Sequence, residues 1–254
     1  MRTKLVIANW KMNLDISESV QLAKKLKLSF LKKLWQDQVV ICPDFLSLSS
    51  VYQALNKTKI RLGAQNCFWQ EVGAYTGEIS PKNLKQVKAD FVILGHSERR
   101  YYFKEKNEEI ALKVDLALKT NIKPIVCVGE ALTDHQKGRT LSTLKKQVKQ
   151  SLQGIKLKSK DKIVLAYEPV WAIGNGKNLD PKEVVKILSF LKAEIAKVFS
   201  STKAENNFSF IYGGSVSAEN VKDFAKFKEI QGLLVGSSSL KLRNFSKICN
   251  DFLS

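Results

Sequence analysis

The stretch Lys162-Ile163-Val164-Leu165-Ala166-Tyr167-Glu168-Pro169-Val170-Trp171 decides the fold. Its first six residues are almost wholly apolar and β-prone, as a strand buried on both faces must be. The run stops at a carboxylate followed by proline. A helix opens shortly after, at Asp180-Pro181-Lys182-Glu183, where an N-cap residue, a proline in the first turn and a glutamate placed for a capping box stand together. Glu183 to Val198 then keeps helical spacing. This is one β-then-α unit, and the polar residue sits where strand gives way to loop.

Outward from this unit the same grammar repeats along the chain. The spacing predicts strands at Leu5–Trp10, Gln38–Pro43, Ile60–Gln65, Asp90–Gly95, Lys123–Val128, Lys162–Tyr167, Phe208–Gly213 and Gly232–Gly236. Helical patterns fill the gaps, and Ile16–Leu34 is predicted to be a helix from apolar residues at three- and four-residue steps: Val20, Leu22, Ala23, Leu26, Phe30 and Leu34. Most gaps are long enough for the crossover that parallel strands require. Strict alternation permits an open doubly wound sheet or a closed barrel. Eight units in 254 residues favour a single α/β domain, the (β/α)8 or TIM barrel, spanning 1–254.

Composition narrows the function class. The net charge is +18, carried mostly by lysines scattered through amphipathic segments such as Lys24, Lys25, Lys27, Lys32 and Lys33. Aromatic residues do not interleave with them as in a base-stacking platform, so a solvated lysine-rich surface is expected and a nucleic-acid partner is not. Cys42, Cys67, Cys127 and Cys249 are far apart and form no Cys-x-x-Cys pair. With only His96 and His135 beside them, no metal site is expected, and buried free thiols are. No window reaches the length of a membrane span. The opening Met1-Arg2-Thr3-Lys4-Leu5 enters a strand without a signal-cleavage pattern, and the final Phe252-Leu253-Ser254 is no known address. A cytoplasmic protein is expected.

In such a barrel the chemistry gathers where the strands end. The first strand ends at Asn9-Trp10-Lys11, whose first and third side chains point the same way if the extended backbone continues. A lysine there can hold a phosphate or an oxyanion. The fourth strand ends at His96. Ser97 behind it is a natural N-cap, which places the imidazole by the positive end of a helix and disfavours its protonated form. The sixth strand ends at Glu168, partly desolvated as a general base should be. The apolar, glycine-closed stretch Pro169, Val170, Trp171, Ala172, Ile173, Gly174, Asn175, Gly176, Lys177 can swing as a lid that shields the site from water. Tyr212-Gly213-Gly214-Ser215 and Val235-Gly236-Ser237 let backbone N–H groups approach a phosphate, on the two strands where barrels often bind one.

Taken together these stretches resemble the triosephosphate isomerase family. The resemblance rests on Ala8–Asn13, Gly63–Asn66, Gly73–Ser80, Gly95–Arg100, Cys127–Glu130, Ala166–Gly174 and Tyr212–Val216, in family order along the whole chain. It implies interconversion of D-glyceraldehyde 3-phosphate and dihydroxyacetone phosphate through an enediolate, in glycolysis and gluconeogenesis, without metal or organic cofactor. Glu168 is then the base, His96 the neutral electrophile, Lys11 and Asn9 the oxyanion stabilisers, and Glu98 the partner that orients Lys11. Gly174, Ser215, Gly236 and Ser237 bind the phosphate. The family also implies a homodimer, with Thr76 on the loop Cys67–Ser80 reaching toward the partner's active site. The chain departs from the family pattern at Asn175, usually threonine; at Ser237, usually glycine, where a positive φ would impose strain; and at Gln231, usually aspartate. The alternatives are another phosphate-binding barrel enzyme, such as a lyase or synthase, and a basic surface- or nucleic-acid-binding protein.

Overall fold

The computed structural model describes residues 4–172 and 179–254. Eight parallel strands close into a barrel: β1 (Leu5–Asn9), β2 (Val39–Cys42), β3 (Arg61–Ala64), β4 (Ala89–Leu94), β5 (Lys123–Val128), β6 (Ile163–Tyr167), β7 (Phe208–Tyr212) and β8 (Gly232–Val235). Closure is made by β1 against β8, with Leu5 opposite Gly232 and Ala8 opposite Val235.

Side chains alternate across the strands, so the barrel has two apolar surfaces. Leu5, Ile7, Val40, Phe91, Ile125, Val164 and Ile211 are among those that fill the interior. Val6, Ala8, Val39, Ile41, Val126 and Leu165 face outward into a second core shared with the helices. This double burial is why the strands read as unbroken apolar runs. Each fully buried Val, Leu or Ile contributes roughly 1.5–3 kcal/mol.

The first helix, Ile16–Phe30, buries Leu22, Ala23, Leu26 and Phe30. Asp15 caps it by accepting from the Glu18 N–H, while Glu18 accepts from the Asp15 N–H in return. The helix stops at Phe30 and not at Leu34. Phe30 packs edge-on against Trp35, and Leu34 is left 96 % exposed as the chain turns back toward β2. The helix at Pro181–Val198 begins as its sequence predicts, with Asp180 accepting from the Lys182 N–H. Glu183, however, pairs with Lys186 instead of closing a capping box.

Most strands end a residue or so short of their predicted limits. Beyond Asn9 the chain is no longer extended, because Lys11 adopts φ 53°. Beyond Leu94, Gly95 does the same at φ 70°. Both turns lie at the same end of the barrel and open it toward one hollow. At the other end Gln231 ties strands together: its N–H and side-chain oxygen meet the Phe210 carbonyl and N–H at 2.9 Å, and its carbonyl accepts from Leu5 N–H. All four cysteines are free and buried.

Candidate active site

The hollow at the C-terminal ends of the strands has a volume of about 610 Å3. Asn9, Lys11, His96, Glu98, Glu168, Ser215, Gly236 and Ser237 all line it. Five strands therefore deliver polar groups to one cavity.

Lys11 is held through its backbone. Its N–H donates to Asn9 Oδ1 (3.1 Å), and its carbonyl accepts from Gln65 Nε2 (2.8 Å), which also donates to the Cys42 carbonyl (3.0 Å). These bonds offset the cost of a left-handed lysine, which is of order 1–2 kcal/mol. The two side chains share the cavity because of this turn, not because an extended strand continues through Trp10. The Lys11 ammonium reaches Glu98 Oε1 at 2.5 Å.

His96, and not Ser97, is the N-cap of the short helix Ser97–Tyr102. Its Nδ1 accepts from the Glu98 N–H at 3.3 Å. Glu98 Oε2 lies 3.6 Å from the same nitrogen, beyond hydrogen-bond range, so the amide is the partner of Nδ1 and Nε2 is left facing the cavity. Nε2 lies 3.3 Å from Glu168 Oε1. Freed from capping, Ser97 uses its own N–H to hold Glu168 Oε2 at 3.0 Å.

Glu168 is 2 % exposed. Its N–H bonds the Val128 carbonyl (2.8 Å), and Gly213 N–H bonds the neighbouring Tyr167 carbonyl (2.8 Å). A Cβ on Gly213 would sit 2.9 Å from Glu168 Cγ, so only glycine leaves room for the carboxylate arm. The Cys127 thiol beside it is pushed well above the usual thiol range, first by burial and then by the Glu168 carboxylate. Arg100 binds the carbonyls of Gly95 (2.6 Å) and Cys127 (3.0 Å), locking the ends of β4 and β5 together.

Gly236 adopts φ −86°, ψ −117°, outside the regions open to L side chains, and faces the Lys11 side chain. Ser237 does not have a positive φ, so it carries no left-handed strain and starts a short 3-10 turn, Ser237–Leu240. The Ser215 hydroxyl donates to the Ala172 carbonyl at 2.6 Å.

Of the residues expected to form a lid, Pro169–Ala172 are described. Ile173, Gly174, Asn175, Gly176 and Lys177 lie outside the described residues. Glu130 anchors the described residues that follow Glu168. It is fully buried; its Oε1 accepts from Trp171 Nε1 (2.8 Å) and Tyr167 OH (3.2 Å), and its carbonyl accepts from the Val170 N–H. His135 stacks on the Trp171 ring with centroids 4.1 Å apart. Gln65, Arg100 and Glu130 are supporting residues to which the sequence alone assigns no role. Gln65 and Glu130 carry a signal, a polar side chain one or two residues after an apolar strand. Thr76 sits on an exposed part of the loop after β3, whose base is closed by a bond from the Phe68 N–H to the Ile79 carbonyl (2.8 Å).

The triosephosphate isomerase family model matches residues 4–252. The triosephosphate isomerase of Caldanaerobacter subterraneus subsp. tengcongensis is 43% identical over 250 residues, covering 98% of this chain and 100% of that protein. That of Dictyoglomus turgidum is 44% identical over 248 residues, 96% of this chain and 98% of its own. That of Aquifex aeolicus is 41% identical over 249 residues, covering 98% and 99%.

Proposed function

The chain belongs to the triosephosphate isomerase family and interconverts the triose phosphates, and from that premise we propose how its own residues divide the work. Glu168 removes the proton from the carbon next to the substrate carbonyl and returns it to the neighbouring carbon. To do so it exchanges the Ser97 amide for the substrate.

The His96 Nε2–H polarises the carbonyl and passes protons between the two oxygens. Lys11 and Asn9 stabilise the negative charge of the enediolate, and Glu98 keeps the ammonium aimed. Backbone N–H groups near Ser215, Gly236 and Ser237 take the phosphate, with Gly174 from the lid. Proton transfer and charge stabilisation suffice, so the scheme calls for no metal or organic cofactor.

The observation that carries this reading is the convergence of Lys11, His96 and Glu168 on one cavity. Nothing in the site favours a lyase, a synthase or a nucleic-acid binder. Glu168→Asp and Glu168→Gln are expected to lower kcat by about 10^2-fold or more while affinity for an unreactive phosphate ligand persists. Steady-state isomerase kinetics beside calorimetry checks this, and undiminished turnover would contradict it.

The working form in this scheme is a homodimer in the cytoplasm, serving glycolysis and gluconeogenesis. Support for the dimer comes from apolar side chains that one chain leaves in water: Met12 (94 % exposed), Leu46 (80 %) and Val72 (78 %), with Tyr75 beside Thr76. They stand on the loops after β1, β2 and β3, on the same side of the barrel, as an interface patch would. A second copy would bury them and bring its Thr76 to the Lys11–Glu98 pair.

A further inference from the structure

Opposite the active site, the barrel has a second mouth at the N-terminal ends of its strands. Side-chain alternation dictates what it shows. Cys127 and Ile125 point into the interior, so Lys123 at the start of β5 does too, and Lys162, just before β6, lines the same mouth. On β3 the interior position Gly63 is followed down the strand by Arg61. Three cations, Arg61, Lys123 and Lys162, thus line one hollow of about 430 Å3. Phe91 closes its floor, with the Lys123 ammonium 5.2 Å and the Arg61 guanidinium 5.9 Å from the ring centroid.

The positive charge is under-compensated. Asp37 lies 3.8 Å from Arg61, Asp90 lies 3.5 Å from Lys85, and Glu205, also on the rim, is bound by Lys192. Among the described residues no carboxylate lies within ion-pair distance of Lys123 or Lys162; the Lys162 ammonium donates to the Asn206 carbonyl (2.6 Å). Burial holds the Lys123 ammonium below the usual lysine range, and repulsion from Arg61, Lys85 and Lys162 outweighs the help of Asp90. Like charges gathered in a concave, partly desolvated mouth focus a field that a counter-anion relieves.

We propose that this mouth is a binding site for a small multivalent oxyanion of the phosphate type, held by Arg61, Lys123 and Lys162. The site is separate from the catalytic cavity, at the other end of the barrel, so its occupancy leaves isomerase chemistry unchanged and stabilises the fold by mass action.

Inorganic pyrophosphate is the probe, titrated calorimetrically against the whole enzyme at constant ionic strength. Two ions per chain are expected, one at each end of the barrel. Lys123→Met with Lys162→Met should lose one of them, or weaken it at least about tenfold, because two charge-assisted hydrogen bonds are removed. Steady-state turnover should stay at the wild-type level. Lys24→Gln with Lys33→Gln removes the same charge elsewhere and should keep both ions. A mouth variant that keeps both the stoichiometry and the affinity of the wild type overturns the proposal, as does an equal loss in the charge-matched control. Adenosine diphosphate, titrated in parallel, tells the source: tighter pyrophosphate assigns the site to a free ion, tighter nucleotide to a phosphate carried on a larger molecule. Should the double variant fail to fold, acylation of the wild-type protein decides. Pyrophosphate must slow modification of Lys123 and Lys162 at least about fivefold relative to Lys24, since ion pairing keeps a lysine protonated. Equal rates with and without the ion overturn the site.

Discussion

The chemistry of this protein depends on how a few side chains are held more than on what they are. Lys11 is the plainest case. Its left-handed backbone is pinned by Asn9 and Gln65, and its ammonium by Glu98. Gln65→Ala should therefore lower kcat/KM by about tenfold or more, since two hydrogen bonds to buried carbonyls are lost. The same kinetics on Gln65→Glu, which keeps the size but not the amide donors, should show a similar loss. An active-site lysine that behaves normally in both variants would mean the turn is held by other contacts.

Sequence gave fair warning of Lys11, His96 and Glu168, because each follows an apolar strand. It could not show that Lys11 leaves the extended conformation, or that His96 rather than Ser97 caps its helix. Each also involves a residue far along the chain, Gln65 on the Lys11 carbonyl and Glu168 on the Ser97 N–H. Ser237 resolves in favour of the sequence as it stands: without a positive φ, Ser237→Gly should leave KM within about twofold, the range of a neutral surface change.

At the scale of elements, the eight strands were legible because burial on both faces leaves few polar residues in them. Their ends were not, because a strand stops where φ turns positive or where a partner strand runs out. The first helix makes the same point. Its apolar spacing continues to Leu34, yet the helix ends where Phe30 meets Trp35 and the chain must return to β2. Phe30→Ala should cost about 3–5 kcal/mol in urea unfolding, and Leu34→Ala almost nothing. Comparable losses in the two variants would argue that the helix runs on past Phe30. Burial also shapes the titration of the interior: the Cys67 thiol in the loop after β3 is pushed up from 9.0 to about 12, chiefly by desolvation. A thiol raised in the folded state contributes stability below its unfolded value and loses it as pH climbs through the folded one. Cys67→Ser should accordingly flatten the fall in thermal stability between about pH 9 and pH 12. An unaltered alkaline slope would show that other groups set it.

At the scale of the whole molecule, the barrel separates tasks by its two ends. One end gathers the polar groups proposed for the reaction, and the other gathers Arg61, Lys123 and Lys162 around a second hollow. The lysine excess that looked like a solvated surface is thus partly organised, which no count of charges could reveal; only the alternation within a closed barrel shows which lysines face inward. The exposed loops after β1–β3 complete the picture, and sedimentation should find a dimer that Thr76→Arg weakens, with activity falling in step. The central claim is that Glu168 moves a proton at carbon. It is tested most directly by incubating dihydroxyacetone phosphate with enzyme in deuterium oxide and following carbon-bound deuterium by NMR. The wild type should incorporate label readily, and folded Glu168→Gln should do so at least about 10^2-fold more slowly. Incorporation by Glu168→Gln at the wild-type rate would contradict the assignment of the base.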